Sequence, residues 1–278
     1  MFSPSSLLQR LLVTILMFSA AGCALHSPTA TELATENNFI RHVYTAPTFD
    51  IVAYTRFAPS DDLTVYIEGD GRAWLTRTRP SSDPTPVPPL ALALAVKDPT
   101  PNVVYLARPC QYTAGTSGFR TCTTRDWTSA RMSPDVINDM NNTLTQIKTE
   151  SGARRLHLVG YSGGGGVAIL LAAQRKDVAS IRTVAGNLNI SLWTRLHHVS
   201  PLSESLPPEN YTLAVRDIPQ THYVGAEDTN IPVEIAKSFI KKSSGAHIAV
   251  NVISGCSHSK GWEEKWPYLL RAYHQNAP

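Results

Sequence analysis

The chain has 278 residues, of which 42% are hydrophobic and 17% are charged, and its formal net charge is +3. This is the composition of an ordinary globular protein, and the length allows one large domain or two small ones. Because the net charge is small and no run of Lys and Arg is interleaved with aromatic residues, the sequence argues against a nucleic-acid-binding protein.

The N-terminus has the features of an export signal. Leu11 to Ala21 form a mostly apolar stretch, which is too short to span a bilayer but suits a secretory signal. Residues 20–23 (Ala-Ala-Gly-Cys) resemble the lipobox of bacterial lipoproteins. The resemblance implies removal of residues 1–22, attachment of a diacylglycerol to Cys23, and an outer-membrane location facing the periplasm. The alternative is a plain signal peptide with an incidental cysteine.

The sequence pattern after the signal changes near residue 39, where predicted strands begin. Residues 23–38 are rich in Ser, Thr, Ala and Glu without an apolar period, so we expect them to tether the lipid to a folded domain of residues 39–278. Residues 42–44 and 50–57 predict an antiparallel strand pair at a sheet edge, and residues 63–67 predict a buried strand.

Strands and helices then alternate regularly. Strands are predicted at residues 103–107, 156–159, 181–184, 222–225 and 248–253. Helices are predicted shortly before Asp98, at 133–148, 167–175 and 232–241, and in the Trp-containing C-terminal segment. This alternation indicates an α/β fold with a mainly parallel sheet covered on both faces. The least regular stretch, residues 186–219, is expected to form a small lid or insertion.

One turn carries a motif with chemical meaning. Residues 160–164 (Gly-Tyr-Ser-Gly-Gly) join a predicted strand to a predicted helix and match G-x-S-x-G, a turn that exposes a strained serine as a nucleophile. The small residues that this turn requires are Gly160 and Gly164. A phosphate-binding turn is the alternative, but no Lys follows and the glycines do not read G-x-G-x-x-G. Ser162 is therefore the candidate nucleophile.

With this turn and two later segments, residues 40–275 resemble the α/β-hydrolase superfamily. The resemblance implies a catalytic triad in the order Ser, acid, His. Asp228, in the loop after a strand, is the candidate acid. Glu227 is the competing candidate, and the alternative role for Asp228 is a purely structural one, capping of the next helix. His258, in a small-residue loop after the last strand, is the candidate base. The less suitable histidines are His247, His274, His197 and His198.

The resemblance also implies an oxyanion hole made by two backbone N–H groups. One belongs to Gly163, directly after the nucleophile, and the position-matched second donor is Asp70. In many hydrolases the loop that carries the second donor begins His-Gly. Here it begins with Glu68, a departure to which the sequence assigns no purpose.

The three remaining cysteines allow a prediction about a stabilising disulfide and about the substrate pocket. In an exported protein we expect Cys110 and Cys122 to form a disulfide within one short loop, contributing roughly 3 kcal/mol. Cys256 is then expected to be free and buried, although other pairings remain open. The disulfide loop, Trp127 and residues 186–219 are candidates for the substrate pocket, with core packing as the alternative for Trp127.

Together these features predict hydrolysis of a carboxylic ester through an acyl-enzyme on Ser162, without a cofactor. No zinc-binding spacing of His or Cys is present in the sequence, so we expect no metal. The expected substrate is a small-molecule or lipid ester, and the expected membrane contact is the lipid anchor. An acyltransferase or peptidase would use the same triad, and a non-catalytic envelope binding protein with an idle site is the alternative outside catalysis.

Overall fold

The computed structural model describes residues 29–113, 122–243, 245 and 247–276. The predicted signal and the predicted lipid attachment site, Cys23, lie outside these ranges. Within them, no helix combines the length and the apolar character that crossing a bilayer would need.

The centre of the fold is an eight-stranded sheet in the order β1-β2-β4-β3-β5-β6-β7-β8. The strands are β1 Ile40–Thr45, β2 Asp50–Arg56, β3 Asp62–Ile67, β4 Val103–Leu106, β5 Arg155–Tyr161, β6 Val178–Val184, β7 Gln220–Gly225 and β8 Ile248–Ile253. Strand β2 is antiparallel to both of its neighbours, whereas all other pairs are parallel. The predicted antiparallel pair at the sheet edge is confirmed.

Seven helices accompany the sheet in the described part of the chain. They are α1 Ala30–Glu36, α2 Leu90–Ala95, α3 Pro134–Ser151, α4 Gly163–Ala173, α5 Ile190–Leu196, α6 Val233–Ser243 and α7 Trp262–Asn276. Apolar residues of α3, α4 and α6 pack into one core cluster, and those of α1, α2 and α7 pack into another. Along β3 the side chains alternate between the clusters, as Val65 and Tyr66 show. The sheet is therefore covered on both faces, as predicted.

Local signals explain where the helices begin. Helix α3 starts at Pro134 after Ser133, whose hydroxyl accepts a hydrogen bond from Val136 N, and it ends at Gly152 in the left-handed region. Helix α4 begins earlier than the predicted residue 167, because Gly163 and the glycines after it already adopt helical geometry. The buried location of α4 compensates for their low helix propensity, since the helix is apolar on every side.

The segment predicted as a tether is partly folded onto the domain. Residues 30–36 form helix α1, which begins with a capping box between Thr29 and Glu32. Ala30 and Ala34 are buried in the core cluster that also contains α2 and α7. The prediction of a tether over residues 23–38 is therefore wrong for α1, because the compositional argument overlooked the capping box and the two buried alanines.

Candidate active site

The predicted nucleophile lies on a sharp turn between β5 and α4. Ser162 has φ +50° and ψ −122°, a combination that costs energy for any residue other than Gly. Backbone hydrogen bonds hold it there: Ser162 N donates to Val184 O at 3.0 Å, and Ser162 O accepts from Gly165 N at 3.0 Å and from Asn187 N at 2.8 Å. The strain is therefore fixed by three contacts that do not involve the hydroxyl.

The turn tolerates only glycine at the positions two residues before and after Ser162. A Cβ on Gly160 would lie 2.3 Å from Gly164 O, and a Cβ on Gly164 would lie 2.3 Å from Ile67 O. Both distances are far below van der Waals contact and both involve backbone that cannot swing away. Both positions therefore require glycine, in agreement with the small residues predicted there.

A chain of hydrogen bonds joins the three predicted triad residues. His258 Nε2 lies 3.1 Å from Ser162 Oγ, and His258 Nδ1 lies 3.0 Å from Asp228 Oδ2. The other oxygen of Asp228 accepts from Asn230 N and Ile231 N, each at 2.8 Å. One carboxylate oxygen of Asp228 therefore orients the imidazole, while the other accepts hydrogen bonds from the backbone of its own loop. The structural role and the triad position are compatible.

The competing residues lie elsewhere. Glu227 accepts a hydrogen bond from Gly255 N at 2.9 Å and stabilises the two loops that carry Asp228 and His258. His197 bonds to Asn230 O at 2.7 Å, and His247 is an exposed residue before β8. The side chain of His274 lies outside the described residues. The structure brings Ser162, Asp228 and His258 together and leaves Glu227 out of the triad.

The side chain of Asp70 lies against Gly163, and these two residues are the ones predicted to supply the oxyanion hole. Gly163 is the first residue of α4, and a Cβ there would lie 2.2 Å from Asp70 Oδ1. The Asp70 carboxylate is held by Arg131 Nη1 at 2.7 Å and by Arg108 Nη1 at 3.3 Å. Both arginine side chains are buried, and Arg108 also donates to Arg131 O. The loop that carries Asp70 is thus fixed by these ion pairs to the segment after β4 and to the segment before α3.

Glu68, the departure from the family pattern, anchors the start of the same loop. It is 1% exposed, and it accepts hydrogen bonds from Gly69 N at 2.8 Å, Tyr105 Oη at 3.1 Å and Ala91 N at 3.3 Å. Burial raises the pKa of Glu68 to about 7, although these donors oppose the rise. Glu68 therefore ties the loop to α2 and β4 and titrates near neutral pH.

Three residues that support this loop were missed by the sequence argument: Arg108, Arg131 and Gln111. Gln111 Nε2 donates to Gly69 O at 3.0 Å, while Gln111 Oε1 accepts from Arg108 N at 3.0 Å. All three reach the loop from segments that are distant from it in the sequence. No spacing or motif in a single sequence marks such residues.

The disulfide between Cys110 and Cys122 is present, with Cα atoms 5.9 Å apart, which confirms the predicted pair. It closes a loop that contains Gln111 and begins just after Arg108, so it restrains two residues that contact the loop of residues 68–71, which we call the oxyanion loop. Cys256 is free and buried, also as predicted, and burial raises the pKa of its thiol.

An open cleft of about 580 Å³ ends on Ser162 and His258. Its other lining residues are Glu68, Asp70, Gly71, Arg72, Ala73, Trp74, Pro86, Val87, Pro88, Leu90, Arg131, Tyr161, Trp193, Asn230, Ser259, Lys260 and Glu263. Trp193 comes from the predicted insertion and stacks under the guanidinium of Arg131, 5.3 Å from the ring centroid. Trp127 does not line this cleft; it is buried in the core and faces a small cavity behind Arg108 and Arg131.

Comparisons with known proteins agree on the fold. No protein-family model and no curated protein sequence matches the chain. An esterase from Pyrococcus furiosus superposes with a TM-score of 0.62 at 14% identity, covering 87% of this chain and 92% of that one. An α/β serine hydrolase homologue from Coxiella burnetii gives 0.59 at 14% identity, covering 86% and 97%. A bacterial membrane phospholipase A gives 0.58 at 15% identity, covering 88% and 87%.

The chain thus has the α/β-hydrolase fold, as the resemblance in the sequence implied. Its structural neighbours are serine hydrolases of that fold. At these identities the similarity concerns the fold, so the activity has to be argued from the site itself.

Proposed function

We propose that this protein is a serine hydrolase that cleaves a carboxylic ester through an acyl-enzyme on Ser162. The observation that carries the proposal is the unbroken hydrogen-bond chain from Ser162 through His258 to Asp228 at the floor of an accessible cleft. A structural serine needs neither a strained backbone nor a histidine held by a buried carboxylate.

We propose a role for each member of the triad. His258 Nε2 takes the proton from Ser162 Oγ as the oxygen attacks the ester carbonyl, because a neutral hydroxyl is a poor nucleophile. Asp228 keeps the proton on Nδ1 and stabilises the imidazolium that forms. His258 then gives its proton to the leaving alcohol, and a water molecule repeats the sequence to release the acid and restore Ser162.

The tetrahedral intermediate carries its negative charge on the former carbonyl oxygen. We propose that the backbone N–H groups of Gly163 and Asp70 stabilise this charge, because Gly163 directly follows Ser162 and the loop of Asp70 packs against the same turn, where a Cβ on Gly69 would lie 3.1 Å from Ser162 Cβ. The ion pairs from Arg108 and Arg131 to the Asp70 carboxylate hold the second donor in place. Donors that need no reorganisation during the reaction are the most effective kind.

The cleft supports an ester with an apolar portion as the substrate. Trp74, Val87 and Pro86 provide an apolar wall, whereas Arg72, Lys260 and Glu263 place charged groups at its edge. A small-molecule or lipid ester fits this mixture. The same triad would serve an acyltransferase or a peptidase, and product analysis separates these reactions.

The decisive experiment is labelling with a fluorophosphonate, which reacts with activated serines. We expect the wild-type chain to be labelled and Ser162→Ala to remain unlabelled. Ser259→Ala is the matched control because Ser259 lines the same cleft, and this variant should label like the wild type. A folded wild-type chain that takes up no label would overturn the proposal and favour a binding protein with an idle site.

We also propose that the chain is exported and anchored through a lipid on Cys23, in the outer membrane facing the periplasm. The support is the sequence of residues 20–23 and the apolar stretch before it. Incorporation of radioactive palmitate by the wild type, and its loss in Cys23→Ala, is the expected result in bacterial cells. Equal incorporation by both chains, or none by either, would contradict the anchor.

A further inference from the structure

The mouth of the cleft is bordered by a loop with exposed apolar side chains. We call residues 72–80 the rim loop. Within it Trp74 is 46% exposed and Leu75 is 43% exposed, and Val87, which shares the cleft lining with Trp74, is 62% exposed. Large apolar groups this exposed at the entrance to a cleft are typical of a surface that contacts another apolar phase.

The rim loop holds these side chains in a fixed arrangement. Leu75 N donates to Arg79 O at 2.9 Å, Ser81 N donates to Ala73 O at 3.0 Å, and Trp74 forms a β-bridge with Pro80. Arg77 Nη2 donates to His197 O at 3.1 Å, which joins the loop to the end of α5. Leu196, beside that contact, is itself 44% exposed. The exposed apolar surface is therefore built into the fold.

All charged residues of the rim loop are basic. Arg72, Arg77 and Arg79 lie on it, and no Asp or Glu occurs from residue 71 to residue 82. Lys260 adds a further cation on the cleft lining. The acidic residues of that lining are Glu68, which is buried, Asp70, which is paired with Arg108 and Arg131, and Glu263, while Asp83 follows the loop. Basic side chains interspersed with exposed Trp and Leu combine the two features that anionic membrane surfaces bind.

We propose that the rim loop docks on an anionic lipid surface, so that the cleft opens toward an ester held in that surface; this rests on the proposed hydrolase activity. Trp74 and Leu75 would enter the region between headgroups and acyl chains, and the arginines would contact lipid phosphates. A protein partner would have to offer acidic groups and an apolar recess in one matching patch. A lipid leaflet offers both everywhere on its surface, which is why lipid is the occupant we favour.

The test uses the full chain reconstituted into vesicles, with variants at two rim-loop residues that do not line the cleft. Leu75→Asp removes an apolar contact, and Arg79→Glu reverses a charge. Their matched controls are Leu213→Asp, at a site 63% exposed near the end of α6, and Lys241→Glu on the surface of α6. Each variant is assayed on a short water-soluble ester and on a long-chain ester carried in phosphatidylcholine vesicles with or without phosphatidylglycerol.

We expect both rim-loop variants to keep their activity on the soluble ester within about twofold. On the vesicle ester they should lose about tenfold when phosphatidylglycerol is present, and the controls should not. The wild type should lose a similar factor when phosphatidylglycerol is omitted. Rim-loop variants that behave like the controls on the vesicle ester would overturn the docking proposal and leave a protein partner as the reason for the exposed loop.

A second measurement detects docking independently of catalysis. Lipids brominated on the acyl chain quench a Trp that enters the bilayer. Of the other tryptophans, Trp127, Trp262 and Trp266 are buried, and Trp193 lines the cleft against Arg131. We expect quenching of the wild type in anionic vesicles and its loss in Trp74→Phe. Equal quenching of both chains would contradict docking by the rim loop. A chain that is quenched but hydrolyses neither ester would instead refute the proposed activity, so the two failures are distinguishable.

Discussion

The nucleophile turn and the oxyanion loop face each other across the site, but they are held by different forces. Ser162 is positioned by backbone hydrogen bonds and by glycines that let the chain pass within atomic contact of itself. The loop of residues 68–71 is positioned by side chains, namely the arginines on Asp70 and the donors on Glu68. Excluded volume holds Ser162 in its turn, whereas charge holds Asp70 in its loop.

Because of this difference, we expect the turn and the loop to be sensitive to different kinds of substitution. The turn should accept changes in charge nearby and should fail when a single methyl group is added. The loop should fail when the carboxylate of Asp70, which pairs with two buried arginines, is replaced by an amide. The following predictions test this contrast, beginning with the largest effect on turnover.

Adding one methyl group at Gly164 should have the largest effect. Gly164→Ala would place a Cβ 2.3 Å from Ile67 O and 2.6 Å from Glu68 O, so the turn and β3 must move apart. We expect turnover to fall by at least about 10³-fold, because a displacement of this kind misaligns Ser162. The measurement is ester hydrolysis together with circular dichroism to verify folding.

Gly152→Ala is the matched control for that substitution. Gly152 has φ +69°, but a Cβ added there would meet no atom within 4 Å. We expect a loss of about 1 kcal/mol in the free energy of unfolding and unchanged turnover. If Gly164→Ala behaved like Gly152→Ala, steric exclusion would not be what holds the turn.

Neutralising Asp70 should have the next largest effect. Asp70→Asn keeps the backbone N–H and the approximate volume, but it leaves the buried guanidinium groups of Arg108 and Arg131 without their carboxylate. We expect a loss of about 3 kcal/mol in stability and a fall in kcat of about 100-fold with a smaller change in KM. Denaturant unfolding and steady-state kinetics measure the two effects.

Asp177→Asn is the control for this substitution because Asp177 also pairs with two cations, Lys148 and Arg175. Its side chain is 23% exposed, compared with 20% for Asp70. The control should lose stability without losing turnover, since it lies at the ends of α3 and α4, away from Ser162. Equal kcat values for the two variants would show that the charge cluster at Asp70 stabilises the fold and does not position the oxyanion loop.

The same contrast explains what could be predicted from the sequence. The position of Ser162 follows from five consecutive residues and the strand and helix around them, and Asp228 and His258 follow from the strands before them. Helix α1 was missed because its signal is a capping box over a short helix, whose stability comes from tertiary packing.

The loop support could not be predicted for a similar reason. Arg108, Gln111 and Arg131 contact the loop only after β3, β4 and the segment before α3 have come together. Their identities carry no local pattern, because an arginine in a loop usually lies in solvent. Glu68 could be recognised as unusual from the family pattern, but its purpose became visible only with its burial and its three donors.

Removing the disulfide should affect stability more than turnover. Cys110→Ser with Cys122→Ser opens the loop that contains Gln111 and begins just after Arg108, and the chain-entropy argument gives a loss of about 3 kcal/mol. Because Arg131 still holds Asp70, we expect turnover to fall less than about tenfold. The free energy of unfolding and kcat are measured for this double variant and for Cys256→Ser. A loss of turnover as large as that of Asp70→Asn would mean that the disulfide, and not the charge cluster, is the main support.

Glu68→Gln should change turnover least and the pH dependence of stability most. The pKa of Glu68 is raised from its usual value of 4.5 to about 7 by burial, so the folded chain binds this proton more tightly than the unfolded chain does. The contribution of Glu68 to stability is therefore greatest below pH 4.5, declines as the pH rises, and is constant above about pH 7.

We expect the wild type to lose on the order of 3 kcal/mol relative to Glu68→Gln over this interval, because Gln cannot ionise. Urea unfolding of both chains at a series of pH values measures the difference. Parallel curves would indicate that Glu68 has the same pKa in the folded and unfolded chains, because the hydrogen bonds from Gly69, Ala91 and Tyr105 offset the effect of burial. In that case the oxyanion loop would be supported by a permanent charge at both Glu68 and Asp70, and the contrast with the uncharged nucleophile turn would be sharper still.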